Sequence, residues 1–117
     1  MKVGIDSYCY HRFLGEVYPG QIPAPTPHTM DSILERAKEL GCDGISLESC
    51  FFPEFSPEYL EGLRRRLDAL GIDRVYAWGH PDGLEAGGNL AARDEMIRHI
   101  EYAKRIGAPV MRVVGSS

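Results

Sequence analysis

Apolar residues recur at helical spacing in three stretches of this chain, and each stretch ends in an apolar residue followed by glycine. The three endings are Leu40-Gly41, Leu70-Gly71 and Ile106-Gly107. Apolar positions three and four residues apart predict amphipathic helices. Glycine directly after such a stretch suits the left-handed residue that ends a helix. The sequence therefore predicts three helices of similar design.

Capping residues mark where two of these helices begin. Thr29 precedes the first, and Ser56-Pro57 opens the second with a capping hydroxyl and a proline at the first helical position. The apolar positions assigned to the buried faces are Met30, Ile33, Leu34, Ala37 and Leu40 in the first helix, Leu60, Leu63, Leu67 and Leu70 in the second, and Met96, Ile97, Ile100, Ala103 and Ile106 in the third.

Short runs of β-branched and aromatic residues flank these helices, and they predict strands over residues 3–8, 44–48, 75–78 and 110–114. An alternation of strand and helix predicts parallel pairing, because a crossover helix returns the chain to the same end of the sheet. The predicted fold class is therefore α/β, with (βα) repeats, a parallel sheet, four strands and three helices.

Composition limits the classes of protein to consider. With 117 residues, 44% of them hydrophobic and 26% charged, the chain matches one globular domain and neither a disordered tail nor a membrane span. The net charge of −4 offers no cationic field for nucleic acid. Three irregularly spaced cysteines do not form a disulfide framework, which favours a reducing compartment. We therefore expect a cytoplasmic protein with neither nucleic acid nor membrane as a partner.

Loop chemistry separates an open nucleotide-binding sheet from a barrel. No Gly-x-Gly-x-x-Gly turn follows the first predicted strand. The strands end instead in polar residues, namely Asp6, Glu48, His80 and Arg112. Polar residues at the carboxyl ends of strands are typical of barrel enzymes, which hold their substrates there.

Several of these segments together resemble the xylose isomerase-like TIM barrels, the family of sugar isomerases, epimerases and the endonuclease IV group (AP endonuclease family 2). The segments that carry the resemblance are Gly4-Ile5-Asp6-Ser7-Tyr8, Leu40-Gly41-x-Asp43-Gly44-Ile45-x-Leu47-Glu48, the span from His80 through Asn89-Leu90-Ala91, Ala103-x-x-Ile106-Gly107-Ala108 and Arg112-Val113-Val114-Gly115. The resemblance runs along the whole chain, which covers only the first half of the family's barrel.

The resemblance implies that residues 1–117 form a single partial (βα)8-barrel domain, truncated after the fourth strand. A full barrel takes about 250 residues and eight strands. Half a barrel has two unpaired sheet edges, which favour association. Closure by a homodimer is the alternative to a truncated reading frame.

The function that the resemblance implies is the N-terminal half of a sugar or sugar-phosphate isomerase or epimerase, with metal-assisted proton transfer next to a carbonyl. The family's divalent metal is manganese, magnesium, cobalt or zinc, and its ligands lie mainly on later strands. We therefore expect a small-molecule sugar as the partner, no metal bound by this half, and no activity from it alone. Two alternatives stay open, an endonuclease IV-like DNA-repair relative and a non-catalytic, self-associating half-barrel.

Strand alternation predicts which side chains face the barrel axis. If Ile45 and Leu47 face the helices, Ser46 and Glu48 face the axis. The same argument places Gly4 and Asp6 on the axial side of the first strand. With Val75 and Ala77 outward on the third strand, the residues predicted to be axial there are Tyr76, Trp78 and His80.

The candidate substrate-binding residues are His11, Arg12, Glu48, Trp78, His80 and Arg112, while catalytic residues stay unassigned and no metal ligand is predicted. Aromatic rings beside histidine and arginine suit a polyhydroxylated or phosphorylated ligand. Arg112 would offset the repulsion between Asp6 and Glu48, although these three could equally form an interior ion-pair layer. His80 would be a metal ligand in endonuclease-type relatives, a substrate contact in isomerases, or only part of a turn. Trp78 could equally be a packing residue, and His99 is assigned to a helix's polar side.

Overall fold

The predicted α/β architecture is confirmed. A computed structural model of the chain describes residues 1–115, with helices α1 (Met30–Glu39), α2 (Pro57–Leu70) and α3 (Leu90–Arg105) and strands β1 (Gly4–Asp6), β2 (Gly44–Glu48), β3 (Asp73–Gly79) and β4 (Met111–Val114). The strands form one sheet in the order β1-β2-β3-β4, and every neighbouring pair is parallel. This arrangement is consistent with half a barrel of (βα) units.

The predicted caps explain where α1 and α2 begin. The Thr29 side chain accepts a hydrogen bond from the Ser32 backbone N–H, and the Ser32 hydroxyl accepts one from the Thr29 N–H in return. The Ser56 hydroxyl caps α2, with Pro57 at its first position. Gly71 ends that helix with φ 67°, a left-handed conformation that glycine adopts without strain. Local sequence thus specifies both helices.

The first strand is shorter than residues 3–8, and this prediction is wrong at its carboxyl end. The Asp6 carboxylate accepts a hydrogen bond from the Tyr8 N–H at 2.9 Å, and a 3-10 turn runs over Ser7–Tyr10. Aspartate competes with extended pairing by bonding the backbone two residues on. The turn moves the aromatic residues after Asp6 out of the strand.

The hydrophobic core lies between the sheet and the three helices. It includes Leu34 of α1, Leu67 of α2, and Tyr76 and Trp78 of β3. The predicted buried face of α3 is partly wrong, because Ile97 and Ile100 are 53% and 50% exposed. The residues that α3 buries are Ala92, His99 and Ala103, and the C-cap residue Ile106 that follows the helix is buried as well.

The sheet curves strongly. In a flat sheet β1 and β4 would lie three spacings apart, about 14 Å, and side chains perpendicular to that sheet could not meet. Yet Arg112 Nη2 on β4 lies 3.3 Å from Asp6 Oδ2 on β1. Curvature therefore produces a concave face, opposite the helices, on which residues from the two outer strands come into contact. Within residues 1–115, no helix has the length and apolar character needed to cross a membrane.

Candidate functional site at the carboxyl ends of the strands

Three charged side chains meet on the concave face near the carboxyl ends of the strands. Arg112 donates a hydrogen bond to Glu48 Oε1 and also lies beside Asp6. The side chains of Asp6 and Glu48 are 31% and 13% exposed, and that of Arg112 is 47% exposed. The predicted meeting of one guanidinium with these two carboxylates is confirmed.

Strand register and one buried hydroxyl position this cluster. Ala77 pairs with Glu48 on one side and Arg112 on the other, so these residues share the concave face. Ser7, fully buried in the turn after β1, accepts a hydrogen bond from the Glu48 N–H at 3.0 Å. The turn that Asp6 caps therefore also fixes the end of β2.

Burial shifts the acidity of both carboxyl groups. Desolvation raises the pKa of Asp6, and the positive charge of Arg112 lowers it by less. Desolvation also raises the pKa of Glu48, where Arg112 opposes the shift and the negative charges of Asp6 and Glu16 add to it. Because the charged form of a buried carboxyl is disfavoured, both groups take up a proton more readily than they would in water.

A row of aromatic rings lines the rim beside this cluster. The Tyr8 ring lies 6.2 Å from Phe51 and is stacked on His11 at 5.2 Å, and the His11 ring lies 5.0 Å from Tyr18. We call these four residues the aromatic row. Tyr8 and Tyr18 are 39% and 40% exposed, so the row presents apolar ring surface to solvent at the mouth.

An open cavity of about 790 Å³ lies at the amino ends of the strands, is bounded there by Arg64 and Asp68 of α2, and reaches the cluster only at Asp6. Its lining includes Gly4 and Asp6 of β1, Gly44 and Ser46 of β2, and Val75 of β3. Small side chains on β1 and β2 leave this space empty. The Ser46 hydroxyl is shielded from solvent and has no hydrogen-bond partner among the described residues.

His11 and Arg12 lie in the loop after β1, as the sequence predicts, and their contacts differ. His11 Nδ1 lies 2.8 Å from the Glu16 carbonyl oxygen, and because a carbonyl oxygen only accepts, Nδ1 is the donor in this contact. Arg12 donates to the Ile22 carbonyl oxygen at 3.1 Å, and its guanidinium carbon lies 5.7 Å from the centre of the Phe13 ring. His11 therefore belongs to the rim, whereas Arg12 stabilises the loop by bonding to another residue of the same loop.

The predicted orientation of β3 is wrong. Tyr76 pairs with Leu47, which faces the helices, so Tyr76 and Trp78 lie on the helix side, buried to 0% and 1% exposure. Val75 and Ala77 occupy the concave face instead. Trp78 therefore packs in the core rather than at the mouth. The predicted alternation fails because β3 has apolar residues on both faces, so the pattern alone does not show which face meets the helices. The larger aromatic rings pack in the core between the sheet and the helices.

His80 also turns away from the concave face. Its Nδ1 accepts a hydrogen bond from the Asp82 N–H at 3.1 Å, and its Nε2 lies 3.6 Å from Glu95 on α3. The prediction that His80 joins Glu48 and Arg112 on the axial side is therefore wrong. The side chain is 21% exposed and spans the turn between β3 and α3.

His99 is a buried polar residue that the sequence analysis assigned to a solvent-exposed face. The residue is 7% exposed, and its Nδ1 lies 2.5 Å from the Tyr76 hydroxyl. Burial lowers the pKa of His99, while Glu95, 3.9 Å from Nε2, raises it by less. The neutral ring thus accepts from Tyr76 and points its Nε2–H toward Glu95. The available signal was its position four residues before Ala103 on the apolar stripe.

The divalent metal that the family resemblance implies does not fit the described residues. Over residues 1–115, no group of three or more histidine, cysteine, aspartate or glutamate side chains is arranged to hold a metal ion. Asp6 and Glu48 already share Arg112 as a counter-ion. The cluster is therefore organised as an ion-paired surface.

Comparison with known proteins gave no relatives: no protein-family model, no curated protein and no solved structure matches this chain.

Proposed function

We propose that this chain is the N-terminal half of a cytoplasmic sugar or sugar-phosphate isomerase or epimerase, and that it supplies ligand contacts without being active alone. The observation that carries the proposal is the meeting of Asp6, Glu48 and Arg112 on a concave parallel sheet, beside the exposed aromatic row. Parallel (βα) units hold their ligands at this end of the sheet.

The charged cluster suits a ligand with several hydroxyl groups. Arg112 donates N–H bonds, and ionised Asp6 and Glu48 accept bonds from hydroxyls. Because burial raises the pKa of both carboxyls, each takes up a proton at a higher pH than a carboxyl in water does. A polyol presents donors and acceptors on neighbouring carbons, which matches this mixed set.

The aromatic row supplies the apolar part of the contact. One face of a sugar ring carries mainly C–H bonds, and such a face packs on aromatic rings. Tyr8 and Tyr18 offer exposed ring surface on either side of His11. Nε2 of His11 would form a hydrogen bond with a hydroxyl of the ligand at the same place.

The metal and the residues that transfer the proton belong, in this proposal, to the other half of the barrel. No described residues form a metal site, so the chain on its own is expected to bind weakly and to leave the substrate unchanged. Added divalent metal should not restore activity.

The direct test is ¹⁵N-resolved NMR titration of the chain with unphosphorylated aldoses and ketoses and with their phosphate esters. Binding should shift amide signals of Tyr8, His11, Glu48 and Arg112, with millimolar affinity. His11→Ala should weaken this binding. His28→Ala is the matched control, because His28 lies in the same loop but bonds Ser32 at the start of α1.

Three results would contradict the proposal. One is the absence of any shift at the rim for every sugar class. Another is epimerisation or isomerisation by the purified chain with divalent metal, which would show that the half-barrel is not inactive. The third is a strongly salt-dependent affinity for an abasic DNA duplex, which would favour a DNA-repair relative instead.

A further inference from the structure

The sheet has two edges whose backbone groups are unpaired in the described residues, since β1 bonds only β2 and β4 bonds only β3. The Tyr76 N–H donates to the Val110 carbonyl oxygen. By the alternation of a parallel ladder, the N–H groups of Met111 and Val113 then point away from β3. We propose that a second copy of this chain pairs with these edges, so that β4 of each copy lies beside β1 of the other.

The direction of the strands allows this closure. All four strands are parallel. If the concave faces of two copies face each other across a two-fold axis that coincides with the axis of the closed barrel, β4 of each copy pairs in parallel with β1 of the other. Both junctions are then identical, and two sheets of four strands close into one of eight without edges. The proposal concerns the 117-residue chain on its own and rests on this topology; in a longer chain, the other half of the barrel in the proposed function would pair with the same two edges.

The edges carry opposite charges on the face that would line the closed barrel. Arg112 stands on the concave side of β4, and Asp6 stands on the concave side of β1. Pairing the edges brings each Arg112 next to the Asp6 of the other copy. Each guanidinium would then lie between its own Glu48 and that second carboxylate, so the charged cluster would be shared between two chains.

Apolar side chains are exposed along both edges. Val3 next to β1, and Val110, Val113 and Val114 on or next to β4, are each 40% to 57% exposed. Pairing of the edges would cover part of this apolar surface, which favours association.

Sedimentation velocity of the full chain over a range of concentrations tests the proposal. We expect a dimer of twice 13.0 kDa. Val113→Pro removes an N–H that points away from β3, and it leaves the hydrogen bonds between β3 and β4 in place. Because one hydrogen bond is lost at each of the two junctions, the variant should associate at least about tenfold more weakly. Val17→Pro is the matched control. Val17 is a loop valine of nearly the same exposure, 39% against 40%, and this variant should remain a dimer.

Hydrogen exchange gives a readout that does not depend on any variant. In the dimer, the amides of Met111 and Val113 should exchange at least about tenfold more slowly at high than at low protein concentration. A chain that sediments as a monomer throughout would overturn the proposal. A dimer that Val113→Pro leaves intact, or one whose Met111 and Val113 amides show no concentration-dependent protection, would overturn it as well.

Discussion

Replacing Tyr76 by phenylalanine tests the buried contact between β3 and α3. The Tyr76 hydroxyl is the hydrogen-bond partner of His99 Nδ1, and both side chains are almost fully buried. Tyr76→Phe leaves the ring in place but removes the donor, so that the buried Nδ1 of His99 has no hydrogen-bond partner. An unsatisfied buried polar group costs about 1–3 kcal/mol, so the free energy of unfolding should fall by about 2 kcal/mol.

Urea denaturation followed by Trp78 fluorescence measures this change. With an m-value of about 1–3 kcal/mol/M, a loss of about 2 kcal/mol lowers the midpoint by about 1 M. Tyr59→Phe is the matched control, because the Tyr59 hydroxyl is buried and has no partner among the described residues. Removing that hydroxyl should be neutral or stabilising. A change in stability of less than about 0.5 kcal/mol for Tyr76→Phe, or an equal loss in both variants, would contradict this role of the hydroxyl.

Three further predictions concern pH and backbone conformation. Because burial holds the pKa of His99 below that of the unfolded chain, stability should fall as the pH drops below about 6.5, as urea midpoints at pH 7.5 and 5.5 would show. Arg112→Met should raise the pKa of Glu48 further. The free energy of unfolding should therefore fall by about 1 kcal/mol at pH 7 and by little near pH 4, as measured by the same urea midpoints. Gly107→Ala should lower the melting temperature more than Gly71→Ala. Both positions have positive φ, but only at Gly107 would the new Cβ meet arginine side chains at 3.2 Å.

The helices and the parallel sheet could be predicted because their signals are local. Thr29, Ser56 and Gly71 act within one helical turn of their own positions. Strand alternation also placed Glu48 correctly, because β2 alternates between apolar and polar residues. The meeting of Glu48 with Arg112 followed from the rule that parallel strands end at the same edge.

What the sequence could not determine depends on packing between distant elements. In β3 both sets of alternate residues are apolar, so only the volume available beneath α3 decides that Trp78 faces the helices. His99 is buried because Tyr76 supplies a partner from another element, and a histidine without that partner would favour solvent. The exposure of Ile97 likewise depends on how α3 lies against its neighbours.

The contact between Arg112 and Asp6 also affects the order in which the chain can mature on the ribosome. Synthesis proceeds from the amino end, so the two carboxylates of β1 and β2 emerge before their shared counter-charge on β4. Until then the early strands carry unneutralised charge on the face that will become concave. The contact between β1 and β4 therefore forms only once β4 has been made, and a nascent chain stalled before β4 should be more sensitive to proteases than one that includes it.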